Sequence, residues 1–197
     1  KALAIADTPK APKFERYLEE VLAGSRRARD LIAQMLIFSR LTPDDAQEAP
    51  PPVLLQPVIK EVVQLVRSSI PTTIELGYQT EEPTLQAAVH PVQLHQILMN
   101  LCINARDAIH DYGSIQVTLR RHPAGASCVS CKQPPVGEMV EIMVSDTGHG
   151  IPVRHLGKIF DPFFTTKEVG KGSGMGLSVV HGLVHGLGGH IVLETQE

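Results

Sequence analysis

Asn100, Asn104 and Asp107 stand at i, i+4 and i+7 within HPVQLHQILMNLCINARDAIHD, a spacing that sets all three on one face of a helix. Three oxygen-bearing side chains in a row suit a hard cation such as Mg²⁺, which takes few protein ligands and completes its shell with phosphate and water. Taken alone, the row also fits the solvated face of an amphipathic helix. Two glycine-dense turns downstream, DTGHG at 146–150 and GKGSGMG at 170–176, favour the chemical reading.

Asp146 ends a strand-like run, MVEIMVS, where a carboxylate can accept a hydrogen bond from an exocyclic amine and so select adenine over guanine. Gly148 and Gly150 lack a Cβ, so the backbone can turn there and a flat ring can lie against it. Gly172, Gly174 and Gly176 leave backbone N–H groups free where the apolar-periodic run LSVVHGLV begins, and the positive end of a helix attracts phosphate. The first turn suits a base and the second a chain of phosphates. The dinucleotide fingerprint does not fit, because no Gly-x-Gly-x-x-Gly lies between a strand and a helix with an acidic residue about twenty positions on. The P-loop pattern is absent as well.

The elements that must position these groups follow from periodicity. Leu94, Ile97, Leu98, Leu101, Ala105, Ala108 and Ile109 recur at helical spacing behind a His90-Pro91 start signal, and predict the helix that carries the asparagines. Val53–Leu55 reads as a short strand and Pro57–Ser69 as a helix, followed by strand-like TTIELGYQ and TLQAAVH. SIQVTLRRH and MVEIMVSD alternate like paired strands across a loop, and HIVLE reads as a strand near the end of the sequence.

Four ordered motifs carry a resemblance: NLCINARDA resembles the N box, DTGHG the G1 box, FDPFF the F box and GKGSGMGL the G2 box of sensor histidine kinases. These belong to the wider ATPase superfamily that includes gyrase, the ninety-kilodalton heat-shock chaperone and mismatch-repair proteins. Over residues 14 to 194 the resemblance implies a Bergerat-type two-layer α/β sandwich, a mixed sheet of about five strands with three helices, preceded by a long helix of a dimerisation hairpin. It implies ATP and Mg²⁺ as ligands, with Asn100 and Asn104 holding the metal and phosphate oxygens. By position, Asp146 would bind the adenine amine. Asp107, Gly148, Gly150, Ile151, Phe160, Thr165, Thr166, Gly172, Ser173, Gly174, Met175, Gly176 and Leu177 would line the nucleotide. Arg154, Lys158 and Lys167 lie in the lid between the glycine turns, within reach of a γ-phosphate, and Lys167 is the one assigned to catalysis. Phe160, Phe163 and Phe164 form a clasp that seats or releases the lid. FFTTK is similar to the nitrogen-regulatory and hybrid subclass. The chaperone and gyrase branches place a glutamate at the position of Asn100, where an amide cannot act as a base. That sets a kinase above the alternatives of a conformational ATPase or an inactive nucleotide-binding scaffold.

The 197 residues, 43 % apolar and with a formal charge of −3, contain enough material for a core and suggest no polyanion partner. No apolar run approaches a membrane span and no signal-peptide pattern opens the sequence. Three cysteines without an even framework point to a reducing, cytoplasmic setting. From Phe14 to Arg40, apolar residues at steps of three and four predict a long helix with a narrow seam. Residues 1–41 then resemble the later part of a dimerisation hairpin, implying a homodimer, with a response regulator or receiver domain as further partner. LTPDDAQEAPPP at 41–52 reads as a stiff linker, so the expected units are 1–41, 42–52 and an ATP-binding domain at 53–197. None of the nine histidines fits the phosphate-accepting position, because His95 precedes Gln96 and His110-Asp111 ends the N-box helix. The acceptor is therefore expected on a helix outside this sequence. His149, His181, His185 and His190 read as packing or solvent residues.

Cys128 and Cys131 form a C-x-x-C pair in the loop PAGASCVSCKQPPVGE. A structural zinc site needs four ligands and a redox pair needs a helix N-terminus. His122 is the nearby extra ligand and Cys102 belongs to the core of its helix. The expectation is a plain hairpin insertion, with a metal or redox site as the alternative.

Overall fold

The structure, a computed structural model, describes Tyr17, Val21, Gly24 and residues 50–122, 127–168 and 172–196. The chain divides into two compact units, Lys1–Asp45 and Ala46–Glu197. In the first, Tyr17, Val21 and Gly24 are helical; the rest of the long helix expected over 14–40 lies outside the described residues, as do most of the linker and residues 169–171.

The second unit is built from β1 (Pro52–Leu54), α1 (Leu55–Arg67), β2 (Ile74–Thr80), β3 (Gln86–Ala88), α2 (Pro91–Ala108), β4 (Gly113–Arg121), β5 (Val140–Asp146) and α3 (Gly176–Gly186). The three helices and five strands match expectation in number. Their ladders fall into two sheets: β1 pairs antiparallel with β3, while β2, β4 and β5 form a mixed sheet in the order β2-β4-β5. β2 runs parallel to β4 from Ile74 opposite Gly113, and β5 runs antiparallel from Asp146 opposite Ile115. A parallel pair needs a crossover, and β3 with α2 supplies it.

Apolar spacing decides which faces are covered. Helix α1 buries Leu55, Ile59, Val62, Val63 and Val66, a stripe at steps of three and four. Strand β4 is central and covered on both sides: Ile115, Val117 and Leu119 join the core, and Thr118 on the opposite face is buried and accepts a hydrogen bond from Gln79 Nε2 at 3.3 Å. Burying that hydroxyl without a partner would cost about 1–3 kcal/mol. Helix α2 lies against α1, α3, β4 and β5. It starts where expected, with Pro91 in its first turn and a reciprocal His90–Gln93 capping box.

The buried seam of α2 is Leu94, Leu98, Cys102 and Ala105, with Ile109 at its cap and Cys102 in the core as expected; Ile97, Leu101 and Ala108 are half-buried. The helix packs on neighbours to both sides, and this turns its covered stripe toward Cys102. One expectation is corrected, since the run HIVLE forms no strand: Ile191 accepts from the Val129 N–H at 2.8 Å and Thr195 reaches Ile151, isolated ties without the continuous ladder that defines a strand. Among the described residues, no helix is long and apolar enough to cross a membrane.

Candidate functional site

The half-buried face of α2 runs from Asn100 through Asn104 to Asp107; the two asparagines meet the start of α3 and Asp107 meets Lys167. Asn100 Nδ2 donates to the Gln96 carbonyl one turn back, at 3.0 Å. That bond fixes the amide and leaves Oδ1 as its outward atom. A Cβ built on Gly176 would stand 3.4 Å from Asn100 Oδ1 and 3.3 Å from Asn104 Nδ2, so the first residue of α3 sits directly against both asparagines. Among the described residues no side chain caps this end of α3: Met175 is the N-cap residue and makes no side-chain cap bond. Uncapped first-turn amides beside two amide side chains are groups of the kind that suit an anion and a hard cation.

Asp107, one turn further, lies in an ion-pair cluster. Arg106 donates to its Oδ1 from Nε at 2.8 Å and Nη2 at 2.6 Å, and Lys167 Nζ donates to Oδ2 at 2.6 Å. Burial alone would raise the Asp107 pKa, but the bonds from Lys167 and Arg106 outweigh it and hold the carboxyl below its ordinary value. Lys167 therefore meets Asp107 here, 60 positions away in sequence, a pairing that residue spacing did not suggest. Thr165 accepts from the Lys167 N–H at 3.2 Å, and both side chains border Gly172.

The first glycine turn closes on the end of α2. Asp146 Oδ1 accepts from the Gly148 N–H at 2.8 Å, which folds the turn back on itself and leaves the exposed carboxylate a second oxygen. A Cβ on Gly148 would come within 2.6 Å of Ala108 Cβ, so only glycine allows this approach. His149 N–H donates to the Ala108 carbonyl at 3.1 Å, and the Ile151 N–H donates to Thr195 Oγ1 at 2.7 Å. The cavity beside this turn is lined by Ile109, His110, Tyr112, Thr147 and His149 among others. It includes neither the asparagines nor the second glycine turn, so it is not in itself the nucleotide cleft.

The second glycine turn is shaped by the aromatic clasp. Gly174 has φ +65°, and a Cβ there would collide with the backbone of Phe163, itself at φ +68°. Phe163 meets the turn through its main chain while most of its surface is exposed. Phe160 packs against His181 of α3, with ring centroids 5.0 Å apart and planes tilted by 33°. Ser173 Oγ accepts from the Met175 N–H at 3.3 Å. Thr166, Arg154 and Lys158 are exposed, and Leu177 is half-buried in the first turn of α3. The structure thus gathers Asn100, Asn104 and Gly176, then Asp107, Thr165, Lys167 and Gly172, then Asp146 and Gly148, along one helix.

Around the cysteines the expected ligands change. His122 Nδ1 is bound to Glu141 Oε2 at 3.0 Å, and burial pushes the Cys102 thiol up to about 11, in keeping with a core residue. Burial would also raise Cys128, but backbone hydrogen bonds from Ile191, Cys131 and Ser130 bring it down to about 6. The histidines near this thiol come from the far end of α3.

Residues 89–197 match the family model described as histidine kinase-, DNA gyrase B- and HSP90-like ATPase. The chain is 38 % identical over 187 residues to the sensor kinase CckA of Brucella abortus, covering 94 % of this chain and 19 % of that protein. It is 29 % identical over 221 residues to the sensory histidine kinase/phosphatase NtrB of Rhizobium leguminosarum, covering 100 % of this chain and 57 % of that protein. The chain therefore spans less than two thirds of the length of either relative. The fold is also that of histidine kinase ThkA in complex with the response regulator protein TrrA, with a TM-score of 0.67 at 23 % identity, over 97 % of this chain and 49 % of that one.

Proposed function

Because the chain belongs to the histidine kinase-, DNA gyrase B- and HSP90-like ATPase family, we propose that it is the ATP-binding catalytic portion of a sensor histidine kinase of the nitrogen-regulatory or hybrid kind. It would pass the γ-phosphoryl group of ATP to a histidine nitrogen and thence to an aspartate of a response regulator. The observation that carries the reading is the meeting of Asn100 and Asn104 with Gly176 at the uncapped start of α3.

Phosphoryl transfer asks mainly for positioning and charge neutralisation. Asp146 offers its free carboxylate oxygen to the adenine amine, while its other oxygen holds the Gly148 turn in shape. The amides at the start of α3 and the half-buried Asn104 side-chain amide donate to the phosphate oxygens, while Asn100 turns its Oδ1 outward. Asn100 and Asn104 would also hold Mg²⁺, which when bound neutralises charge on the phosphates. Lys167 rests on Asp107 and is placed to exchange that carboxylate for a γ-phosphate as the lid closes. Asn100 is an amide, which has no basic atom to take a proton from water, and this favours transfer over hydrolysis.

The same reading makes residues 1–41 part of a dimerisation hairpin, 42–52 its linker and 53–197 the catalytic domain. The working protein is then a homodimer at the cytoplasmic side, and its second partner is a receiver domain. The complex that ThkA makes with a response regulator supports such a partner. The test supplies the chain with γ-labelled Mg-ATP and a histidine-bearing dimerisation hairpin in trans. Acid-labile, base-stable label on the hairpin is the expected result. Hydrolysis without label would replace the kinase with a conformational ATPase, and absence of both would leave a scaffold.

A further inference from the structure

The loop between β4 and β5 is folded into a tight knuckle around its two cysteines. The Lys132 N–H donates to the Cys128 carbonyl at 3.0 Å, the Cys128 N–H donates to the Gln133 carbonyl at 2.9 Å, and Lys132 takes φ +62°. The knuckle is tied to the segment after α3, where Val129 N–H donates to Ile191 O at 2.8 Å and Ile191 N–H to Cys128 Sγ at 3.4 Å. Ser130 Oγ lies 2.7 Å from His181 Nε2, and the His181 ring packs against His185 with centroids 4.5 Å apart and planes tilted by 60°.

These ties bring soft donors together. Cys128 Sγ, Cys131 Sγ and a ring nitrogen of His190 all lie within 4.8 Å of one another. Cys131 Sγ is 3.4 Å from His190 Nδ1. His185 stands outside this three-donor cluster and approaches it at Cys128, with its Nε2 3.9 Å from Cys128 Sγ. A tetrahedral zinc ion, with bonds of about 2.3 Å to sulfur and about 2.0–2.1 Å to nitrogen, sets sulfur–nitrogen edges of about 3.6 Å. The two measured edges bracket that value. The sequence order Cys128-x2-Cys131 and His185-x4-His190 also falls within the spacings of two-cysteine, two-histidine zinc sites.

Two blander readings fit less well. Ordinary packing does not explain why thiols and imidazoles, rather than apolar groups, converge from segments 59 positions apart. A dithiol redox pair belongs at a helix N-terminus, where the dipole favours thiolate. This pair sits on a hairpin turn with no helix in residues 127–139, and its thiols are free.

We propose that Cys128, Cys131 and His190 form the core of a structural zinc site, completed by His185 turning in from beside Cys128, that clamps the β4–β5 loop to the C-terminal end of α3. Two thiolates and two neutral imidazoles select Zn²⁺ over the hard Mg²⁺ suited to the asparagine face. The clamp closes four protein ligands around the metal and leaves no position for substrate, so its role is architectural. Between His185 and His190 the chain turns at Gly188–Gly189, with Gly188 at φ +71° and its N–H donating to the His185 carbonyl at 3.0 Å. The proposal stands whether or not the chain transfers phosphate.

The test uses the full chain without any histidine tag. Purified protein is assayed for metal by mass spectrometry, then stripped, reduced and titrated with Co²⁺. One equivalent of zinc per chain is expected, and cobalt should give the intense visible bands of a tetrahedral site together with thiolate-to-cobalt charge transfer. Cys131→Ser and His190→Ala should each lose that equivalent, and His185→Ala should keep the charge-transfer band while losing the four-ligand band pattern. Protein that is metal-free as isolated and gives only the weak spectrum of octahedral cobalt after reduction would overturn the proposal. So would a Cys128–Cys131 disulfide that, once reduced, takes up no metal, or a His190→Ala variant that retains full zinc. The wild-type cobalt titration decides the matter even if a variant fails to fold.

Discussion

The two ends of helix α3 sit in opposite chemical surroundings. Its first residue, Gly176, meets amide side chains on a half-buried face, and among the described residues no side chain caps it. Its last turn points His185 at a buried thiol, and His190 follows beyond a glycine turn. One end offers hard oxygen and amide groups that a ligand can take and leave. The other offers soft donors already tied to one another by hydrogen bonds, suited to an ion that stays. An eleven-residue helix therefore links a site for exchange to a site for anchorage, and each should fail in its own way when disturbed.

The largest effect is expected at the anchored end. Metal held at about a thousand times its dissociation constant stabilises a fold by about 4 kcal/mol. For a domain of this size each kcal/mol moves Tm by about 2–4 °C, so chelation or Cys131→Ser should lower Tm by roughly 8–16 °C. Nucleotide affinity, measured by titration well below that melting point, should change little. A Tm unmoved by chelation would remove the contrast between the ends.

Next comes Asp146→Asn at the exchanging end. The asparagine keeps an oxygen to accept from the Gly148 N–H, so the turn should survive and Tm should hold. The charged acceptor for the base amine is lost, at about 1.5–3 kcal/mol. ATP should bind roughly ten- to 150-fold more weakly by calorimetry. Wild-type affinity in a folded variant would exclude Asp146 from base recognition.

Gly174→Ala sharpens the comparison from between the two sites. A side chain there needs a left-handed backbone and meets the Phe163 main chain, so the clasp and the glycine turn cannot both keep their places. Strain of this kind costs about 1–3 kcal/mol. Thermal melting should register it, and nucleotide titration should show weaker binding because the turn moves. Unchanged melting and binding together would mean that the clasp does not shape the turn.

What could be read from the sequence follows the range over which each feature is determined. The asparagine face, helix α1 and the β4–β5 pair are set by periods of 3.6 and 2 within short windows, and the residues themselves carry those periods. The covered stripe of α2 depends on neighbours to both sides, so spacing located the helix and the core place of Cys102 but left Ile97, Leu101 and Ala108 only half-buried. HIVLE alternates like a strand, but alternation cannot supply a partner for its ladder. The Lys167–Asp107 pair and the meeting of Cys131 with His190 join segments about sixty positions apart, and only tertiary packing brings them together. The metal-like spacing of both halves was nonetheless present, once cysteines and histidines are counted across the chain instead of within one loop.

The smallest effect concerns the pair that links the lid to α2. Asp107 titrates below its unfolded value of about 3.9, because its bonds from Lys167 and Arg106 outweigh burial. A depressed carboxyl contributes stability that is present above the unfolded pKa and lost as pH falls through the folded one. Asp107→Asn should therefore cost no more than about 1 kcal/mol near pH 7, since both partners remain partly in water, at 33 % and 23 % side-chain exposure. The gap in Tm between wild type and variant should close as pH drops below about 4. If Lys167 leaves Asp107 for a phosphate, saturating Mg-ATP should narrow the gap at pH 7 as well, and the same variant should bind ATP no more weakly than wild type. A gap that is constant with pH would show that the pair contributes through shape and not charge. One that closes with acid but ignores nucleotide would keep Lys167 on the helix and take it out of the transfer step.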